Sequence, residues 1–188
     1  RTRNRGCGVM QAFFSALIEL IREPLRPNCG VKTDSSILLI YPPEKELDFR
    51  EYLMDAFVPQ LKAEGVPFRL LHLAGFLFEG LSEETIRNLQ EDEFDDYRWM
   101  KQGLSTTVEA ALRKRISQLA EESPGCAVIV YATIALHPLV RFGEVLRELR
   151  DVRCRTVLAF PGEERGGKLH FMNQPDGGNY LAVKLFWK

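Results

Sequence analysis

Three residues whose side chains suit acid–base or nucleophilic chemistry lie where apolar, strand-like runs end. Tyr41 closes the first run, His137 follows a later one, and Glu163 comes after the next. In an open parallel sheet, binding sites form beyond the carboxyl ends of the strands. An enzyme acting on a nucleotide or another phosphoester could therefore use Tyr41, His137 and Glu163, which are the candidate catalytic residues.

A purely structural role is the more economical interpretation of His137. Its ordinary pKa near neutrality suits proton transfer, but no serine or cysteine nucleophile in a recognisable motif accompanies it. We expect His137 to pack or cap at the start of a helix, and we assign no catalytic residue. The histidines lack E-x-x-H or H-x-H spacing and the cysteines lack C-x-x-C spacing, so we predict no metal site and no cofactor.

The loop after the first strand is unsuited to phosphate binding. A phosphate loop needs glycines whose backbone N–H groups wrap the anion. Here the loop holds Tyr41, Pro42, Pro43 and Glu44, so two donors are missing and a carboxylate lies where an anion would bind. This loop argues against a nucleotide hydrolase that uses it.

Two charged segments are candidate interaction surfaces. The first is rich in arginine and could contact phosphates, although interleaved acids favour a salt-bridged surface helix. Its candidate residues are Arg141, Arg147 and Arg150. The second is an acidic run that could meet a basic partner, although a solvated face is the simpler interpretation. It consists of Glu91, Asp92, Glu93, Asp95 and Asp96.

The overall composition excludes several classes of protein. The 188 residues are 45% hydrophobic and carry a formal net charge of −1. A disordered chain would be less apolar, and a nucleic-acid module held by phosphates would usually be basic, so nucleic-acid binding is disfavoured. No apolar run approaches the ~20 residues of a membrane-spanning helix. We expect one domain over residues 9–188, preceded by a flexible basic segment, residues 1–8, that lacks an initiator Met.

Buried strands and amphipathic helices alternate along the chain. Four strands are predicted at 37–41, 68–73, 127–131 and 156–160, the last stopped by Pro161 and Gly162. Helices are predicted at 9–22, at 44–62 with Pro59 expected to kink or shorten the helix, from a capping box at Thr106 and Glu109, and from His137. Residues 168–172 and 180–186 suggest an antiparallel hairpin.

This alternation predicts an α/β fold. Strands that alternate with helices form a parallel sheet covered on both faces. We therefore expect a three-layer sandwich with a mostly parallel sheet, similar to Rossmann-like or NTPase-like folds but without a phosphate-binding loop. The C-terminal hairpin would make one edge antiparallel. Cys126 and Cys154 fall in apolar runs where a reduced thiol packs as a small hydrophobe, which favours the cytoplasm.

Three segments together carry a family resemblance. They are Tyr41-Pro42-Pro43-Glu44-Lys45-Glu46-Leu47, then His137-Pro138-Leu139-Val140-Arg141, and finally Phe160-Pro161-Gly162-Glu163 with the hairpin that ends near Asn179-Tyr180-Leu181. In this order they resemble the BrxB family, a component of bacteriophage exclusion (BREX) defence systems. The resemblance runs from the first helix to the end of the chain, although residues 74–105 and 28–35 match poorly.

The resemblance implies an accessory protein rather than an enzyme. Its partners would be the other BREX components, namely a large ATPase, an adenine methyltransferase and the alkaline-phosphatase-like protein PglZ, with PglZ favoured. The family has no established catalytic residues to carry over. An interaction subunit is therefore the first hypothesis, and an enzyme at the sheet edge or a nucleic-acid-binding module is the alternative.

Overall fold

Seven strands and the helices between them make up the part of the chain that the computed structural model describes, namely residues 3–24, 35–79, 82–84, 87, 97–149, 153–176 and 182–187. The strands are β1 (Ser36–Tyr41), β2 (Phe68–His72), β3 (Ala127–Tyr131), β4 (Arg155–Arg165), β5 (Lys168–Phe171), β6 (Gln174–Pro175) and β7 (Val183–Phe186). The helices are α1 (Arg3–Arg22), α2 (Glu46–Tyr52), α3 (Val58–Ala63), α4 (Phe76–Glu79), α5 (Tyr97–Glu122) and α6 (Phe142–Glu148).

Five strands form a parallel sheet in the order β2-β3-β4-β1-β7. β1 occupies the interior of this sheet, with Ser36 opposite Thr156 of β4 and Ile37 opposite Val183 of β7. The last residues of β4 continue into a smaller antiparallel arrangement with β5 and β6. The predicted α/β fold with a mostly parallel sheet is therefore confirmed.

Helices cover both faces of the sheet, as a three-layer arrangement requires. On one face, alternate residues of β1 such as Leu38 and Ile40 pack with residues of α5 and α6. On the other face, Ile37 and Leu39 pack with α1, α2 and α3. Because both faces are covered, the interior strands β1 and β3 have continuous apolar sequences rather than alternating patterns.

The apolar stripe of α1 is buried on the sheet. Met10, Phe13, Phe14 and Leu17 lie on one side of the helix and belong to the core that contains Ile37. At the other end, the buried guanidinium of Arg155 donates a hydrogen bond of 2.9 Å to the carbonyl oxygen of Glu23. This donor satisfies a carbonyl just beyond the helix end, where a cation is favoured. The stripe of α1 is therefore core rather than an exposed patch.

The helical stretch after β1 continues through Pro59 to Ala63 instead of ending there, but it is irregular just before the proline. Residues Leu53–Phe57 form a π-helical turn that joins α2 to α3. Pro59 has no N–H to donate to a carbonyl four residues earlier, so a regular helix loses one bond there. The wider turn accommodates this loss while Leu53 and Phe57 stay buried.

Two predicted helix starts are wrong. Thr106 and Thr107 lie inside α5, and their hydroxyls donate to carbonyls four residues earlier at 3.0 Å. Because α5 begins before them, the carboxylate of Glu109 is free of the capping box and accepts the backbone N–H of Arg141 at 2.9 Å. His137 does not open a helix either, since Pro138 disfavours a helical conformation before it and α6 begins only at Phe142.

The antiparallel hairpin exists, but its partners differ from those predicted. β5 pairs with the end of β4 through a turn at Gly166 and Gly167, whose φ angles of 57° and 73° suit glycine. β4 does not stop at Pro161, because the proline sits where the strand passes from one sheet to the other and no N–H is needed. Residues 183–186 form β7, which is parallel to β1, while residues 177–181 of the predicted turn lie outside the described part.

Candidate functional site

A pocket of about 570 Å³ lies at the carboxyl ends of β1, β4 and β7. Its floor is made of buried residues near the end of β1 and in the middle of β4. The lining residues are Ile40, Tyr41, Pro42, Gly162, Glu163, Glu164, Gly167, Phe186 and Trp187. This is the edge of the sheet where sites of α/β proteins form.

The pocket opens where the chain leaves two neighbouring strands toward opposite faces. After β1 the chain enters α2, whose Phe49 packs on the same face as Tyr41. After β4 it enters β5, whose Leu169 and Phe171 belong to the core on the other face. Diverging connections between adjacent strands leave a crevice between them.

Tyr41 lines the pocket, and its hydroxyl group is a hydrogen-bond donor to Glu46. Its ring is fully buried and stacks on Phe49 with ring centroids 4.2 Å apart, and its hydroxyl donates to Glu46 at 2.5 Å. Burial, and then the negative charge of Glu46, raise the pKa of the Tyr41 phenol far above its ordinary value. A phenol in this state stays protonated, so Tyr41 is unsuited to act as a base or a nucleophile near neutral pH.

Glu46 is a partner of Tyr41 that the sequence analysis did not identify. Its side chain is partly buried, and this burial raises the pKa of its carboxyl group, although the hydrogen bond from Tyr41 opposes the rise. The i to i+5 spacing of Tyr41 and Glu46 across a Pro-Pro turn is the signal that could have indicated the pair.

The pH dependence of stability gives a test of the Glu46 environment. A carboxyl group whose pKa is raised by folding binds its proton more tightly in the folded state. The free energy of unfolding therefore falls as pH rises from about 4.3, the ordinary value for glutamate, through the raised folded pKa, and then levels off. In Glu46→Gln this contribution should be absent, because the amide does not titrate.

Urea unfolding at a series of pH values measures this effect. The stability of Glu46→Gln relative to the wild-type protein should increase with pH across that window. Glu44→Gln removes the same charge from an exposed side chain nearby and should follow the wild-type profile. A constant difference between Glu46→Gln and the wild-type protein at all pH values would contradict the assignment.

Two carboxylates form the acidic wall of the pocket. Glu163 is half-buried and forms an ion pair with Arg165, while Glu164 lies 3.6 Å from the ammonium group of Lys184. Both glutamates lie in the part of β4 that pairs with β5, which fixes their backbone position. Arg165 and Lys184 do not line the pocket.

Aromatic residues at the end of β7 form the opposite wall, and the sequence analysis missed them. Trp187 is half-buried, with its ring centroid 6.3 Å from that of Tyr41 and 6.4 Å from that of Phe13. Phe186 is exposed. An aromatic pair directly after an apolar strand was the available signal, because strand ends of a parallel sheet share one edge.

His137 lies away from the pocket. Its ring is 5.6 Å from the ring of Phe171, on the side of the sheet where Phe142 also contacts Phe171. The structure thus places Tyr41 and Glu163 at one pocket but not His137. A catalytic use of the three residues stays an untested prediction.

The candidate interaction residues are only partly described. Arg141 and Arg147 are exposed at the start and end of α6, and Arg147 forms an ion pair with Glu144 of the same helix. Arg150 and the acidic run, Glu91, Asp92, Glu93, Asp95 and Asp96, lie outside the described residues. Their roles stay predictions.

The two described core cysteines are packed as hydrophobes. Cys126 and Cys154 are buried and free. Burial raises the pKa of the Cys154 thiol to about 11 and also raises that of Cys126, and a protonated, buried thiol is a poor nucleophile. Within the described ranges, no three His, Cys, Asp or Glu side chains are grouped as a metal site would need, and no helix could span a membrane.

Comparison with known proteins identifies the family. The family model described as BREX protein BrxB matches residues 73–185, which include β3, β4 and the acidic wall of the pocket. No curated protein and no solved structure matches the chain. The match covers more than half of the sequence and contains Phe160-Pro161-Gly162-Glu163. It begins after Tyr41-Pro42-Pro43-Glu44, and it includes residues 74–105, which were expected to match poorly. The chain therefore belongs to the BrxB family, the proteins of that name in BREX anti-phage defence systems.

Proposed function

We propose that this BrxB protein is a non-catalytic interaction subunit that acts in the cytoplasm and binds the PglZ-type component of the BREX system. Membership of the family supports the other BREX components as its partners. The buried, free thiols of Cys126 and Cys154 are compatible with a reducing compartment.

The composition of the pocket is the observation that supports a binding role. Pro42 carries no backbone N–H for a phosphate, and the phenol of Tyr41 is committed to Glu46. Glu163 and Glu164 add carboxylates to the lining, and these repel the anionic groups of a phosphoester. Aromatic walls with a polar rim are instead a common composition of protein–protein contact sites.

A pull-down with purified components tests the proposal. The folded protein, tagged and in excess, is mixed separately with the PglZ-type protein, the large ATPase and the adenine methyltransferase. We expect the PglZ-type protein to be retained and to co-elute with BrxB in size-exclusion chromatography. Retention of another component alone, or of none, would contradict this partner assignment.

The pocket itself also supports an alternative, an enzyme acting on a nucleotide or phosphoester. Its volume of about 570 Å³ lies in the range of ligand sites. The test is whether the protein turns over such a substrate. If it does, and if Glu163→Gln loses the turnover while staying folded, the enzyme alternative is favoured over a purely binding role. A nucleic-acid role for Arg141 and Arg147 would instead require binding that weakens steeply with salt.

A further inference from the structure

The charge of the pocket at the β1–β4 crevice restricts what it can bind. The lining residues that bear a charge at neutral pH are Glu163 and Glu164, and the structure places no lysine, arginine or histidine among the described residues of the lining. An anion would meet two carboxylates and a proline-interrupted loop. A cation would gain from either carboxylate.

The aromatic wall favours the same sign of charge. The ring of Trp187 lies near those of Phe13 and Tyr41, and the preceding residue, Phe186, is exposed. The negative faces of such rings attract cations, with tryptophan the most effective. The aromatic and the acidic residues of the lining thus favour the same type of ligand.

The ion pairs already present leave the carboxylates available. Glu163 pairs with the largely exposed Arg165, and Glu164 with Lys184 at a distance of 3.6 Å. Pairs that water reaches contribute little and exchange readily. An incoming cation can therefore replace these partners without leaving a buried charge behind.

We infer that this pocket binds an arginine side chain of the partner protein, an inference that rests on the proposed interaction function. A guanidinium is planar, stacks on aromatic rings and donates paired hydrogen bonds to carboxylates, which an ammonium group cannot do in the same way. The side chain would stack on Trp187 and bond to Glu163 or Glu164. The volume also admits the neighbouring residues of the partner.

The first test uses the isolated protein and a small probe. Acetyl-arginine N-methylamide is titrated while the indole N–H signal of Trp187 is followed by NMR, with Trp187→Phe used to assign that signal. We expect a saturable shift, and binding at least tenfold weaker for the citrulline analogue, which is nearly isosteric but neutral. Equal binding of the two probes, or no shift of the Trp187 signal, would overturn the inference.

Charge-neutralising variants locate the effect. Glu163→Gln combined with Glu164→Gln should weaken binding of the arginine probe at least fivefold. The matched control combines Glu83→Gln with Glu84→Gln, which removes two adjacent exposed carboxylates elsewhere, and should bind within twofold of the wild-type protein. A thermal melt of each variant checks that it is folded. If a variant does not fold, the comparison of the arginine and citrulline probes on the wild-type protein still tests the inference.

The same variants separate this inference from the proposed partner. Probe binding without retention of the PglZ-type protein would support the arginine pocket and overturn that partner. In the opposite case, the PglZ-type protein is retained equally by the wild-type protein and by the Glu163 and Glu164 variant, and the probe does not bind. That result would support the partner assignment and overturn the arginine pocket.

Discussion

Replacing Gly162 with alanine should lower the free energy of unfolding by about 3 kcal/mol, at the upper end of the cost of overpacking. A Cβ at this position would lie 2.0 Å from the backbone carbonyl oxygen of His170 and 2.9 Å from the ring of Phe160. The oxygen belongs to β5, which is paired with β4, so relief requires the two strands to separate. Urea unfolding followed by fluorescence measures the loss.

Gly103 provides the matched control for this substitution. It lies inside α5, and a Cβ there would meet nothing within 4 Å. Gly103→Ala should therefore stabilise the protein by up to about 1 kcal/mol, because alanine has the higher helix propensity. If Gly162→Ala were as stable as the wild-type protein, the close packing of β4 on β5 at this point would be refuted.

Truncating Phe14 to alanine should cost about 4 kcal/mol, as for other large core aromatics. Phe14 is 1% exposed and its ring contacts those of Phe49, Tyr52 and Phe57 at centroid distances of 5.6, 4.9 and 4.7 Å. The substitution removes contacts of α1 with α2 and with the π-helical turn at Leu53–Phe57. The remaining cavity adds to the lost transfer free energy.

Leu47 is the control for Phe14. Its side chain is 75% exposed, so Leu47→Ala should change the free energy of unfolding by no more than about 0.5 kcal/mol. Thermal and urea unfolding of both variants give the comparison. A loss below about 1 kcal/mol in Phe14→Ala would contradict the packing of α1 against α2 and the π-helical turn.

The parallel strands could be predicted because burial on both faces leaves a clear pattern. Residues 37–41 and 127–131 are continuous apolar runs, and both are buried throughout. Such apolar runs do not predict the order of the strands in the sheet, because any of them could pair with any other. The insertion of β7 beside β1, and the pairing of β5 with β4, depend on contacts far apart in sequence.

Local signals failed where the surrounding chain overrode them. Thr106 and Glu109 have the spacing of a capping box, but α5 already runs through them, so their backbone groups bond within the helix. Pro161 indicated the end of a strand, yet it occupies a position that needs no N–H. A local motif does not show whether the preceding segment is already helical or extended.

The site was predictable to the level of the sheet edge. The strand-end rule puts Tyr41 and Glu163 at one edge of the sheet, and both line the same pocket because β1 and β4 are neighbours. His137 follows β3, which lies two strands from β1, about 10 Å away along the sheet. The rule gives the edge but not the position along it, so the separation of His137 from Tyr41 could not be foreseen.

The placement of β1 inside the sheet has a consequence for synthesis on the ribosome. Both of its strand neighbours, β4 and β7, come long after it in the sequence, at Arg155–Arg165 and Val183–Phe186. During translation, Ile37–Ile40 therefore remains an apolar segment without a strand partner until β4 has emerged. Such distant pairing makes folding slow, and unpaired apolar strands are sites of aggregation and chaperone binding. A chain that stops before β7 would leave β1 as an exposed edge.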